Sequence, residues 1–198
     1  MVFPYFSLYC KYGKIIVYLY ATNHTRTRYH TFEKSKMIHL IVGNTGSGKT
    51  TYSTELKSKT NGIIFSIDKW NKTLFLADKK KDDGLEWFLE RIDRAEQMIM
   101  ELVRQLENSK TDSILDLGLS KFEHREKFRK FAESNEYELK IHFLDISKET
   151  RWKRVMKRNN EKGATYEFEV TKENFDFMEN WFEKPSAKEI NGGIIVAE

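Results

Sequence analysis

Residues 37–51 read MIHLIVGNTGSGKTT. Met37 to Val42 is a largely apolar run, and the next eight residues fit G-x-x-x-x-G-K-[ST] at Gly43, Gly48, Lys49 and Thr50. The order carries more information than the pattern: a buried strand ends at Val42, and a glycine-rich turn opens into a helix through Leu56. Glycines at 43, 46 and 48 permit backbone angles and close approaches that a Cβ would block. The backbone of Gly43, Asn44, Thr45, Gly46, Ser47 and Gly48 can then turn successive N–H groups around a phosphate at the positive end of a helix. Lys49 is placed to reach the β- and γ-phosphates, and the Thr50 hydroxyl to ligate Mg²⁺. Thr51 falls close to the α-phosphate. ATP and Mg²⁺ are the cofactors this stretch predicts. The competing reading, an ordinary glycine-rich turn, explains neither the strand before it nor the helix after it.

The chain has 198 residues, enough for one domain with a sizeable core and a small lid. Its formal net charge of +4 is unevenly spread. Six of the 34 Lys and Arg (Lys11, Lys14, Arg26, Arg28, Lys34 and Lys36) and one of the 30 acidic residues (Glu33) fall in residues 1–36. That leaves 28 basic against 29 acidic groups in residues 37–198, a net of −1. A nucleic-acid grip shows as a basic face on the folded domain, so this balance argues against one. Cys10 is the only cysteine, which rules out an internal disulfide and fits a reducing cytosol. The expected location is cytoplasmic. The five histidines have no metal-ligand spacing.

Residues 1–36 differ from the rest. Their aromatic and apolar start is broken by Lys11, Gly13 and Lys14, so no window reaches the roughly 18 uninterrupted apolar residues of a membrane span. A signal peptide would put charge before the apolar region, whereas these lysines interrupt it. The reading adopted is an N-terminal extension outside the fold, with Met37 as the natural start. A genuine hairpin or membrane-adhering arm is the rival. Residues 37–198 form the expected domain.

Within it, strands are predicted at 62–67, 113–117, 139–144 and 194–197, and helices at 84–108, 121–134, 147–160 and 172–182. The apolar stripe of 84–108, with Trp87, Phe88, Ile92 and Ile99 on it, reads as core, with substrate contacts from its first turn the lesser alternative, and Lys79–Asp83 before it as a solvated loop. Residues 161–171 (EKGATYEFEVT) read as a flap. Such alternation implies an α/β fold with a parallel sheet and helices on both faces. Ligands collect outside the carboxyl ends of its strands, where Asp68, Asp116 and Asp145 fall.

Asp116 closes the third strand, the place of the acid that supports Mg²⁺ in such proteins; a turn-capping aspartate is the alternative. Leu117 follows it, where hydrolytic motors place a glutamate. Asp68 follows the second strand, placed to accept the proton of an attacking hydroxyl, or merely to cap a helix. Arg151, Arg154 and Arg158 lie within an arc of roughly 60° at about 100° per residue. A solvated basic face is the ordinary explanation, but this helix runs straight into the flap. Arg154 and Arg158 are therefore taken as phosphate-directed, Arg151 less so.

Taken together, the loop at 43–50, Asp68, LDLG at 115–118, R-x-x-x-R-N at 154–159 and F-x-x-P at 182–185 resemble the bacterial AAA-domain ATP-binding proteins. These are similar to small P-loop kinases: gluconate kinase, chloramphenicol phosphotransferase, zeta toxin and polynucleotide kinase. The resemblance covers residues 37–198. It implies the nucleoside-monophosphate-kinase fold, a five-stranded parallel sheet of order 2-3-1-4-5 with a helical lid over about 151–171. It implies a carboxylate base matching Asp68 and lid arginines matching Arg154 (over adenine) and Arg158 (on phosphate).

The expected function is an ATP:acceptor phosphotransferase acting on a hydroxyl of a small molecule, as a monomer or dimer. Lys49, Asp68, Arg154 and Arg158 would be catalytic, and Thr50 and Asp116 would hold the metal. A polynucleotide 5′-hydroxyl kinase and a nucleotide-dependent switch or ATPase are the alternatives. Asn71-Lys72-Thr73-Leu74 lacks the aspartate of a guanine-reading N-K-x-D motif, which argues against GTP.

Overall fold

The computed structural model describes residues 37–163 and 166–198, together with the backbone of 7–10 and 13–16. The chain divides into two units, Met1–Ser35 and Lys36–Glu198. In the first, β1 (Ser7–Cys10) and β2 (Gly13–Ile16) form an antiparallel pair, with Ser7 opposite Ile16 and Cys10 opposite Gly13. The rest of the N-terminal extension lies outside the described residues, as do residues 164 and 165 of the flap.

The second unit is built on five parallel strands: β3 (Met37–Val42), β4 (Ile63–Ser66), β5 (Ser113–Asp116), β6 (Glu138–Asp145) and β7 (Ile194–Ala197). They lie in the order β4-β5-β3-β6-β7, which is the expected 2-3-1-4-5. Central parallel strands are covered on both faces and so read as near-continuous apolar runs. That is why β3 and β5 were legible. On one face Ile38, Leu40 and Val42 pack with Ile99 and Val103 of α3 (Leu85–Asn108) and Phe128 of α4 (Phe122–Ser134). On the other, Ile41, Ile114 and Leu144 meet Tyr52 and Leu56 of α1 (Lys49–Thr60). No helix among the described residues is long and apolar enough to cross a membrane.

Two departures from expectation bear on the site. The strand of β4 stops at Ser66, not Ile67, and the chain turns at once into a short helix, α2 (Ile67–Trp70), a π-helical turn at Asn71–Phe75 and a 3₁₀ turn at Leu76–Asp78. Asp68 therefore sits in the first turn of a helix and does not terminate the strand. The local sequence has no clean period. Tertiary packing fixes it: Trp70 meets Phe65 edge-on at 6.2 Å, and Trp70 and Phe75 lean on the core. The second departure concerns α3, whose apolar stripe reads as core with substrate contacts from its first turn as the lesser alternative. Ala95, Ile99 and Val103 are buried, but the first two turns present Leu85, Phe88 and Leu89 to a cavity.

The C-terminal return is held by one buried cation. Arg125 on α4 donates Nε–H to Glu189 at 2.7 Å and Nη1–H to the carbonyls of Leu119 (3.1 Å) and Glu183 (3.0 Å). Glu183 N–H donates to Ser120 O, and Phe182 stacks on Phe143 at 6.5 Å. The F-x-x-P run at 182–185, to which the sequence assigned no role, is thus the segment that docks this return before α7 (Ala187–Ile190) and β7.

A polar chain crosses the sheet beneath α1. With both imidazoles neutral, Tyr52 O–H donates to His142 Nδ1 (2.7 Å), His142 Nε2–H to His39 Nδ1 (2.9 Å), and His39 Nε2–H to Asp112 (3.4 Å). This assignment of protons satisfies every ring nitrogen. Burial, then the neighbouring His39 and Lys140, pull His142 from its ordinary 6.5 down to about 4. The unfolded imidazole gains a proton near pH 6.5 and the folded one resists until about 4. The stabilisation is complete above pH 6.5 and disappears as the pH falls through that window. At about 1.4 kcal/mol per pKa unit this is a loss on the order of 3 kcal/mol. Urea midpoints at pH 7 and pH 4.5 should fall steeply in the native chain and less in His142→Gln. Equal pH slopes in the two would dismiss the assignment.

Candidate phosphoryl-transfer site

The loop after β3 is closed by short bonds. Ser47 N–H donates to Asn44 O at 3.1 Å, and Thr45 N–H to Asn44 Oδ1 at 2.7 Å. Gly46 and Gly48 have φ of +81° and +96°, the left-handed region that favours glycine. At Gly46 there is a second constraint: a Cβ would lie 2.6 Å from the Arg151 carbonyl oxygen. The loop is therefore pressed against α5 (Lys148–Glu161), whose start is capped by the Ser147 side chain accepting from Thr150 N–H.

Lys49, the first residue of α1, folds back to donate Nζ–H to Gly43 O at 2.8 Å and Asn44 O at 3.4 Å. Its pKa is lowered by burial, against the pull of Asp116 and Asp68. Thr50 Oγ1–H donates to Asp116 Oδ2 at 3.0 Å. Asp116 is buried at the end of β5, and burial raises its carboxyl while Lys49 and the Thr50 bond oppose the rise. Asp68 is also raised, first by desolvation and then by Asp116, with Lys49 and Arg158 pulling it back. Its side chain stays open to the cleft, and that solvent access tempers the shift.

The three arginines of α5 separate by role. Arg151 is buried and pairs with Glu179 of α6 (Lys172–Trp181) at 2.5 and 2.9 Å, while also donating to Thr45 O and Ile146 O. It braces the loop. Arg154 is exposed and donates to Ser47 O at 3.1 Å, above the loop. Arg158 lines the cleft, and its buried Nε has no hydrogen-bond partner.

One cavity of about 600 Å³ gathers Lys49, Thr50, Asp68, Asp116, Arg154 and Arg158, with Thr51 and the loop glycines on its wall. Asp145 stands apart from it, paired with Lys184 at 2.7 Å. The oxygen pair of Thr50 and Asp116 fits a hard cation that takes few protein ligands, as Mg²⁺ does beside phosphates. No cluster of three or more His, Cys, Asp or Glu suited to a metal occurs among the described residues. A second cavity of about 880 Å³ adjoins the first across Asp68, Gly118, Ser120, Phe168, Phe177 and Met178.

Two residues important to this geometry had no role assigned from the sequence, although Asn159 closes the R-x-x-x-R-N run. Glu179 accepts from Arg151 and from Asn44 Nδ2 (2.5 Å), tying α6 to the loop. Asn159 clasps the far end of the flap: its Nδ2 donates to Val170 O at 2.8 Å, and its Oδ1 accepts from Val170 N–H at 3.2 Å. Both partnerships join residues distant in sequence.

Among the solved structures to which the fold is similar are the following three. Kti12 of Chaetomium thermophilum, in complex with ADP-AlF3, has a TM-score of 0.59 at 17% identity, over 81% of this chain and 88% of that one. The APS kinase CysC of Mycobacterium tuberculosis, in complex with AMPPNP and APS, has a TM-score of 0.58 at 16% identity, over 83% and 90%. A gluconokinase of Sinorhizobium meliloti 1021 has a TM-score of 0.52 at 14% identity, over 83% of each. These likenesses establish the architecture. No curated protein matches the chain. The profile of the AAA domain family matches residues 38–185, the whole stretch from β3 through the docked F-x-x-P run, and the chain belongs to that family.

Proposed function

We propose that the chain is an ATP-dependent phosphotransferase that moves the γ-phosphate to a hydroxyl of a small-molecule acceptor. One observation carries the reading: Asp68 stands at the junction of two adjoining cavities, one holding the glycine loop and Lys49, the other large enough for a second reactant. The acceptor oxygen forms a bond to the γ-phosphorus as the bond to the β,γ-bridging oxygen breaks. ADP departs, and the hydroxyl proton passes to the Asp68 carboxylate. A base whose pKa is raised toward the working pH suits that transfer. Lys49 would leave the Gly43 and Asn44 carbonyls for the β- and γ-oxygens. Arg154 and Arg158 would close over the phosphates as the lid of 151–171 excludes water. Mg²⁺, held by Thr50 and Asp116, would neutralise charge on the phosphate oxygens.

With labelled γ-phosphate ATP and a metabolite pool, label should appear in an organic acceptor. Asp68→Asn should lower that rate by about 10²–10⁴-fold and leave ATP binding intact. Label found solely as free phosphate, at an unchanged rate in Asp68→Asn, would replace this reading with a nucleotide-dependent switch.

A further inference from the structure

The second cavity is specific in its chemistry. Its floor is formed by the first turns of α3, the irregular turns after α2, and α6. Leu76, Leu85, Leu89, Phe168 and Phe177 all line it while remaining 41–50% exposed. Large apolar side chains left open within one concavity are uncommon on a folded surface and mark a binding groove.

Most of the charged groups on its wall already have partners, whereas the buried Asn71 Oδ1 on the same wall has no hydrogen-bond partner. Lys72 donates to Glu167 (2.9 Å), Lys121 to Glu183 (2.9 Å), and Lys127 to Asp93 (2.7 Å) and Glu96 (2.9 Å). Lys79 lies 5.6 Å over the Phe88 ring and donates to Lys80 O. Glu96, nearly fully buried, also takes a bond from His124, and Ser120 donates to Gly118 O. Three of the four lysines on this wall are paired with carboxylates, and Asp68, Asp93, Glu96 and Glu123 match the four in number. The wall thus offers an anionic occupant no net positive charge, and Lys79 alone without an ion pair to break. A polyol would find Asp68 and Asn71 Oδ1 as open acceptors and leave its remaining hydroxyls against Leu and Phe, losing water without a replacement bond.

We infer that the second cavity takes a neutral molecule with a large apolar or aromatic body, whose hydroxyl reaches Asp68 at the junction. This rests on the phosphotransferase reading for the hydroxyl's fate, and on the cavity alone for the body. The acceptor is then an aryl or alkyl alcohol in class, unlike a sugar acid or a sulfated or phosphorylated nucleotide. Aromatic rings would stack among Phe88, Phe168, Phe177 and Trp181, where offset contacts are favourable.

The test separates binding from turnover. The neutral fluorophore N-phenyl-1-naphthylamine should bind the full chain saturably, excited by energy transfer from tryptophan. Trp181→Phe should lower that transfer while leaving emission under direct excitation. 4-Phenyl-1-butanol should displace the probe, and gluconate should not. Leu89→Lys, at a position already 46% exposed and thus safe for folding, should weaken the probe at least about tenfold by setting a charge against it. In ATP consumption, 4-phenyl-1-butanol should exceed gluconate in kcat/KM by a similar factor. Absent saturable binding, displacement by gluconate, indifference to Leu89→Lys, or turnover favouring gluconate would each overturn the inference. Probe binding with the expected displacement, but no turnover of any alcohol, would uphold the cavity's specificity and remove the phosphotransferase reading instead.

Discussion

Replacing Arg158 by alanine is expected to lower kcat by about 10³–10⁵-fold, the effect of removing an arginine that stabilises charge on a transferring phosphoryl group. The guanidinium lies near enough to Lys49 and Asp68 to shift both, and its Nε has no protein partner to satisfy it. Alanine there removes a cation without orphaning a carboxylate, so the fold should be retained. Arg151→Ala would behave differently, because it strands Glu179 and loosens the loop. The decisive readout is the split between constants. A fall in kcat with the ATP dissociation constant nearly unchanged marks an interaction made in the transition state. A rise in KM at constant kcat would reduce Arg158 to a ground-state contact. Arg154→Ala, by its place above Ser47, should act mainly on ATP affinity.

Glu189→Ala is expected to destabilise the fold by about 3–5 kcal/mol, the range for removing one partner of a buried ion pair. The Arg125 side chain is 1% exposed and Glu189 13%, so the orphaned guanidinium would have little water to turn to. Its bond also holds the Glu189 carboxyl below the usual range, against a desolvation that pushes it up. Glu189 further closes a capping box with Ser186 at the start of α7, so its loss loosens that helix too. The urea midpoint should fall with little change in slope, the mark of lost stability without altered compactness. Arg125→Met with Glu189→Leu should recover much of the loss. A change below about 1 kcal/mol in Glu189→Ala would mean the pair is effectively solvated, as surface pairs are.

What was legible followed from local chemistry. The β3 strand, the glycine loop and α1 declared themselves because period, turn residues and helix start all occur within fifteen residues. The Ser147 cap and the strand at 194–197 were equally local. What was not legible shares one cause. Arg125 sits in a run, FEHREKFRKF, that looks like a solvated helix, and only the returning chain 64 residues later reveals it as buried. His39 and His142 seemed scattered because 103 residues separate them, yet the parallel pairing of β3 with β6 sets their rings 2.9 Å apart. The first turns of α3 have a core-like pattern, since a ligand groove and a core select the same apolar residues. Which of the two a stripe faces is settled by whatever lies opposite.

Glu179 has a consequence for the order of events at the site. Its carboxylate grips Arg151 and the Asn44 side chain at one end of α6, and the same helix presents Phe177 and Met178 to both cavities, as part of the wall they share. A nucleotide that reshapes the loop therefore pulls on a wall of its neighbour's chamber. Linkage makes any such effect mutual: by whatever factor ATP tightens the second reactant, that reactant must tighten ATP. A saturating alcohol should then be visible in a nucleotide titration, with no contact between the two molecules required.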